Sequence, residues 1–198
     1  GGLLSTAELS IVQARKEINL FAERMSRMFG MLNTLLHETN ENDFNKLFSR
    51  IEKYENISDN MELEIANYLN KVSEGRLSSE SKLEIRGMLR EVTEIESIGD
   101  SCYNLARTIN RKRSGGNDFT EKQYEHIHQM MQLTSDALAQ MIAVVEDEHH
   151  VVDVNKSFNI ENEINNYRAQ LKNQNVVDVN NKEYDYQMGV HYMDLIGE

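Results

Sequence analysis

Four carboxylates on two helices are the residues of this chain best placed to do chemistry. Glu96 and Asp100 are four apart and project from one face of a helix, about a turn from each other. Glu55 and Asp59 repeat that Glu-x-x-x-Asp spacing earlier in the chain. Each pair borders a helical seam in the same angular position: Glu96 follows Ile95 as Glu55 follows Tyr54, and Asp100 follows Gly99 as Asp59 follows Ser58. A carboxylate beside a seam is costly unless something positive meets it. Four such groups on adjacent helices cannot all stay ionised and unpaired, so they bind a cation, take up protons or splay into water. A hard or borderline metal held by oxygens would meet the first demand. The plain alternative is a solvated acidic edge with Arg86, Arg90 or Arg107 as counter-ions.

The elements that must carry these acids are long helices. The 198 residues contain no proline and ten methionines, a composition that favours an all-α protein. The first helix is expected from Ser5-Thr6-Ala7-Glu8, which reads as a capping box, to His37–Asn40. Its seam is Ile11, Ala14, Ile18, Phe21, Met25, Met28, Leu32 and Leu35. A polar turn at Asn40-Glu41-Asn42-Asp43 leads into a second helix over about Phe44–Val72, with a seam at Leu47, Ile51, Tyr54, Ser58, Met61, Ile65, Tyr68 and Val72. The third, from Ser78-Ser79-Glu80-Ser81 to about Arg113, packs through Ile85, Met88, Val92, Ile95, Gly99, Cys102, Ala106 and Ile109. Ser114-Gly115-Gly116-Asn117 is the clearest break. The cations Arg107, Arg111, Lys112 and Arg113 before it suit a helix C-terminus. Asp118 is expected to cap a fourth helix reaching about Asp147, with Ile127, Thr134, Leu138, Met141 and Val145 on its seam. A fifth helix is expected over His149–Asn173 and a sixth from Lys182 to Glu198.

The two halves look related. A shift of 106 positions lays Tyr54, Ser58, Met61 and Ile65 on Ile160, Ile164, Tyr167 and Leu171, and Glu55 and Asp59 on Glu161 and Asn165. The reading is therefore two three-helix units, 1–113 and 118–198, the second ending as its last acidic motif begins.

Other function classes are poorly served. A net charge of −12 argues against general nucleic-acid binding. No run approaches a membrane span, and no signal-peptide pattern is present. The single Cys102 lies on a seam, which suits core packing and a reducing compartment better than nucleophilic catalysis. His37, near a helix end, and His149-His150, at a junction, read as structural. A ferritin-type di-iron enzyme would use Glu-x-x-His on two helices of a bundle. Here Glu125-His126-Ile127-His128 and Glu146-Asp147-Glu148-His149 fall on one helix, too far apart to share a metal pair. A third reading is a metal-free helical adaptor with Met-rich seams, which predicts dimerisation without metal.

The motif Glu94-Ile95-Glu96-Ser97-Ile98-Gly99-Asp100 followed by Asn104-Leu105-Ala106 resembles the signature of the PhoU family. Glu55-Asn56-Ile57-Ser58-Asp59-Asn60-Met61-Glu62 resembles its partner on the preceding helix. The opening Ser5-Thr6-Ala7-Glu8-Leu9, then Gln13-Ala14-Arg15-Lys16-Glu17-Ile18, is similar to the cytosolic tail that follows the membrane domain of bacterial sodium/phosphate cotransporters. The resemblance implies a six-helix bundle of two pseudo-repeats that regulates phosphate uptake at the cytosolic face of the membrane and is not an enzyme. It implies as partner the transporter's membrane domain or another phosphate-uptake protein. It also implies metal clusters, often of iron or zinc, on the acidic motifs, with Glu55, Asp59, Glu96 and Asp100 as ligands by position. A second site is left incomplete by Asn165.

Overall fold

The computed structural model describes residues 6–116, 118–146, 169, 170, 172, 173 and 175. The long helices among the described residues are α1 (Thr6–His37), α2 (Glu41–Ser73), α3 (Ser79–Ser114) and α4 (Glu121–Glu146). All regular structure among the described residues is helical. Of the expected fifth helix only residues 169, 170, 172 and 173 are described, and these are helical. The rest of it, the sixth helix, Glu161, Asn165 and the second repeat's last acidic motif lie outside the described residues. No described helix is long and apolar enough to cross a membrane.

Helices α1, α2 and α3 each pack on the other two, and α4 lies on α1. The expected seams of α1 and α3 are buried at every position. At the centre, Ile18, Phe21, Met25, Met28, Leu32 and Leu35 of α1 meet Phe44, Ile51 and Leu69 of α2 and Met88 and Ile95 of α3, all fully buried. On α4, Ile127, Met130 and Leu138 join this core.

The seam of α2 departs from expectation at its C-terminal end. Tyr68 is 38% exposed, and Leu69 is fully buried in its place. The buried positions Phe44, Ile51, Ser58 and Ile65 are seven apart. A straight helix lags about 20° with each such step. A further step of three to Tyr68 would add to the lag, whereas a step of four to Leu69 corrects it.

The helix starts also differ. The turn expected at residues 40–43 is helical from Glu41 onward, because Asn40 is the N-cap and its side chain accepts from the Asp43 N–H at 3.0 Å. Glu41 and Asp43 then sit in the first turn, where the macrodipole favours acids. Helix α3 starts where expected, with Ser78 as its N-cap, accepting from Ser81 N–H. Asp118 does not cap α4. That role falls to Thr120, whose Oγ1 accepts from Gln123 N–H while Gln123 Oε1 accepts from Thr120 N–H, a capping box. Asp118 instead gathers Lys112 Nζ (2.6 Å), Phe119 N–H and the Tyr124 hydroxyl.

The cations ending α3 have specific partners besides the helix dipole. Arg113 donates to the carbonyl oxygens of Glu38 (2.6 Å) and Thr39 (2.9 Å), and its guanidinium lies 4.5 Å from the centre of the Phe44 ring. It thereby ties the α1–α2 turn to the end of α3. Arg111 donates to Thr108 Oγ1, and Arg107 lies over the Tyr103 ring. The chain leaves α3 through Gly116, whose φ of 76° is a left-handed conformation that glycine adopts without a Cβ penalty.

Candidate metal centre

The two acidic pairs face each other across the α2–α3 contact. Glu55 and Asp59 on α2 and Glu96 and Asp100 on α3 each offer one carboxylate oxygen, and these oxygens all lie within 4.8 Å of one another. Glu55 and Glu96 are half-buried, whereas Asp59 and Asp100 are exposed. All four residues singled out from their spacing are thus brought together.

The close approach of the helices depends on two small residues. Ser58 is fully buried on α2, and Gly99 is buried opposite it on α3. A Cβ on Gly99 would stand 2.9 Å from Met25 Sδ, 3.0 Å from Ser58 Oγ and 3.4 Å from Glu55 Oε2. Glycine is therefore required by proximity rather than by its dihedral angles.

The electrostatics are those of crowded acids. Burial first, then Asp100, Asp59 and Glu96, pushes Glu55 up to about 8. Burial, then Asp100, Glu62 and Asp59, pushes Glu96 up to about 7. Glu62 is a further member that the spacing argument passed over. Its pKa is raised by burial and by Asp59 and Asp100. Its signal was its place three residues after Asp59, on the same helix face. Cys102, buried behind the site, has its thiol pushed up to about 12 by burial and by Glu55. It is an inert core residue rather than a nucleophile.

Among the described residues Arg86, Arg90 and Arg107, the counter-ions of the solvated-edge alternative, pair with none of the four acids. Among the described residues the ion pairs are Arg15 with Glu84 and Glu91, and Lys112 with Asp118. None reaches the four acids, and Arg107 is held over Tyr103 instead. Among the described residues, Glu55 Oε2 and Ser58 Oγ are buried without a hydrogen-bond partner. Buried polar atoms without partners cost about 1–3 kcal/mol each.

This donor set fits a cation. Oxygens around one octahedral ion, each at about 2.1 Å, are separated by about 3.0 or 4.2 Å, so the four carboxylates need only a small closure to share one. With neither His nor Cys in the group, the chemistry favours hard, oxygen-seeking ions over zinc. The His-containing motif Glu125-His126-Ile127-His128 lies apart, on α4. There His128 meets His37 at 2.8 Å between their Nε2 atoms. Burial, then His128 and Lys112, hold the pKa of His37 below its ordinary value. His149 and His150 lie outside the described residues.

Fold and site together define an all-helical bundle with an oxygen-lined acidic cleft between two helices. Residues 18–109, from within α1 to near the end of α3, match the family model of the PhoU domain. That stretch carries all four acids, Ser58, Glu62 and Gly99. No curated protein matches the chain, and no solved structure does.

Proposed function

We propose that this chain is a PhoU-type regulatory module of phosphate uptake, acting by binding rather than catalysis. A cation on Glu55, Asp59, Glu96 and Asp100 would fix α2 against α3. The observation that carries the reading is the convergence of four carboxylates within 4.8 Å, together with a buried Glu55 oxygen that has no hydrogen-bond partner among the described residues. The PhoU match over residues 18–109 supplies the biological context. When bound, the metal would supply positive charge that lets the half-buried Glu55 and Glu96 ionise without mutual repulsion. The α2–α3 face so ordered would meet the membrane domain of a sodium/phosphate cotransporter, or another phosphate-uptake protein, at the cytosolic side. Residues 118–198 would form the second repeat.

Elemental analysis of protein purified without chelator or affinity metal tests the reading. At least one iron or manganese per chain, lost in Glu55→Ala/Glu96→Ala, supports it. No metal after incubation with iron, manganese and zinc refutes it. That result would favour a metal-free adaptor, for which a groove of about 270 Å³ between α1 and α2, lined by Ala14, Met61, Ile65 and Tyr68, is the observation in hand.

A further inference from the structure

We propose that His37 and His128 form a second metal site, chemically distinct from the acidic cleft, that takes a borderline divalent cation such as zinc and clamps the end of α1 to α4. His37 is the last residue of α1, and His128 lies two turns into α4. Their Nε2 atoms are 2.8 Å apart, although the residues are separated by 91 positions in the chain. The ring centroids are 4.7 Å apart at a tilt of 33°, so the rings converge on their Nε2 edges. In the metal-free protein one ring N–H donates to the other ring's lone pair.

Zinc–nitrogen bonds of about 2.0–2.1 Å at a tetrahedral angle place two ligand nitrogens about 3.3 Å apart. The pair therefore has to open by only about half an ångström to admit a metal, with the donor ring changing tautomer so that its proton passes through solvent from Nε2 to Nδ1 and both rings stay neutral. Imidazole is a preferred ligand of zinc, copper and nickel, whereas the oxygen-only cleft suits harder ions. Both rings are exposed, which leaves the remaining coordination positions to water. The nearest cation does not oppose a metal with its full charge, because Lys112 Nζ is paired with Asp118 at 2.6 Å. Tyr124, one turn before His128, packs on the His37 ring at 5.6 Å and limits its swing. Because α4 packs mainly on α1, a metal at this point would set how firmly α4 is held.

The test is a calorimetric zinc titration of the full chain in a Glu55→Gln/Glu96→Gln background, which removes the acidic cleft. One zinc per chain is expected. His37→Ala and His128→Ala should each weaken it at least tenfold, with the helical circular dichroism of both variants unchanged. Zinc should raise the thermal midpoint only where both histidines are present. With copper as the probe, the electron paramagnetic resonance spectrum of the background protein should show nitrogen hyperfine structure that either histidine variant reduces. Zinc binding unaltered by both histidine variants overturns the proposal. So does its loss in His149→Ala/His150→Ala, or the absence of nitrogen coupling with copper. Failure of the acidic cleft to bind metal would leave these results untouched, so the two sites are tested separately.

Discussion

Gly99 of α3 lies so close to Ser58 of α2 that a Cβ there would stand 3.0 Å from the Ser58 hydroxyl oxygen. This approach lets the two Glu-x-x-x-Asp pairs meet, because each acid follows its seam neighbour by one position. Gly99→Ala should gain about 1 kcal/mol of helix propensity and lose about 1–3 kcal/mol to overpacking. Met25 Sδ at 2.9 Å and Ser58 Oγ must both shift, and both belong to fully buried side chains. The expected net loss is about 1 kcal/mol, read by urea unfolding, with weaker metal binding alongside. A variant as stable as the parent, with undiminished metal content, would show that the α2–α3 spacing is not what assembles the site.

Without metal, the protein should show an unusual pH dependence. Glu55 at about 8 and Glu96 at about 7 both lie above the ordinary value of 4.5. The folded chain then holds protons that the unfolded chain has released, so stability falls as pH rises. The contribution is complete below about pH 4.5 and gone once pH passes about 8. With chelator present, the urea midpoint at pH 5.5 should exceed that at pH 8. Glu55→Gln should flatten the difference, and saturating metal should reduce or reverse it. A chelated protein with equal midpoints would mean that the acids splay apart in solution.

Arg113 should be the costliest surface cation to remove. Arg113→Ala deletes two hydrogen bonds to the α1–α2 turn and the packing on Phe44. A loss of about 2 kcal/mol is expected, since charged hydrogen bonds contribute about 1.5–3 kcal/mol each and these are partly exposed. Arg113→Lys should recover only part of it, because a lysine cannot present the planar fork. Thermal denaturation of both variants beside Arg111→Ala provides the comparison, and equal effects of the two alanine variants would remove the special role of Arg113.

Thr120 is the N-cap of α4, so Thr120→Ala should cost about 1 kcal/mol. Asp118→Ala should leave the cap intact and act through Lys112 and Tyr124 instead. Amide hydrogen exchange separates the two. Faster exchange confined to the first turn of α4 is expected for Thr120→Ala, and its appearance in Asp118→Ala instead would restore Asp118 as the cap.

The sequence by itself determined the local geometry. The seams of α1 and α3 could be read residue by residue, because a 3.6-residue period makes burial in a long helix a matter of spacing. The same period placed Glu55 with Asp59 and Glu96 with Asp100, so each half of the candidate site was legible. The caps were legible in part. The start of α3 at Ser78 was, whereas at α4 the cap is Thr120-x-x-Gln123 rather than the expected Asp118, two residues farther from the helix.

What only the tertiary structure decided is how one helix stands against another. The convergence of the two acidic pairs depends on the rotation and stagger of α2 on α3, which Ser58 and Gly99 set by steric contact. The exchange of Tyr68 for Leu69 in the seam follows from accumulated rotation along α2. The grip of Arg113 on the α1–α2 turn and the meeting of His37 with His128 join residues more than seventy positions apart. No local pattern encodes such pairs, because helical periodicity fixes which face a residue occupies but leaves open what lies opposite it.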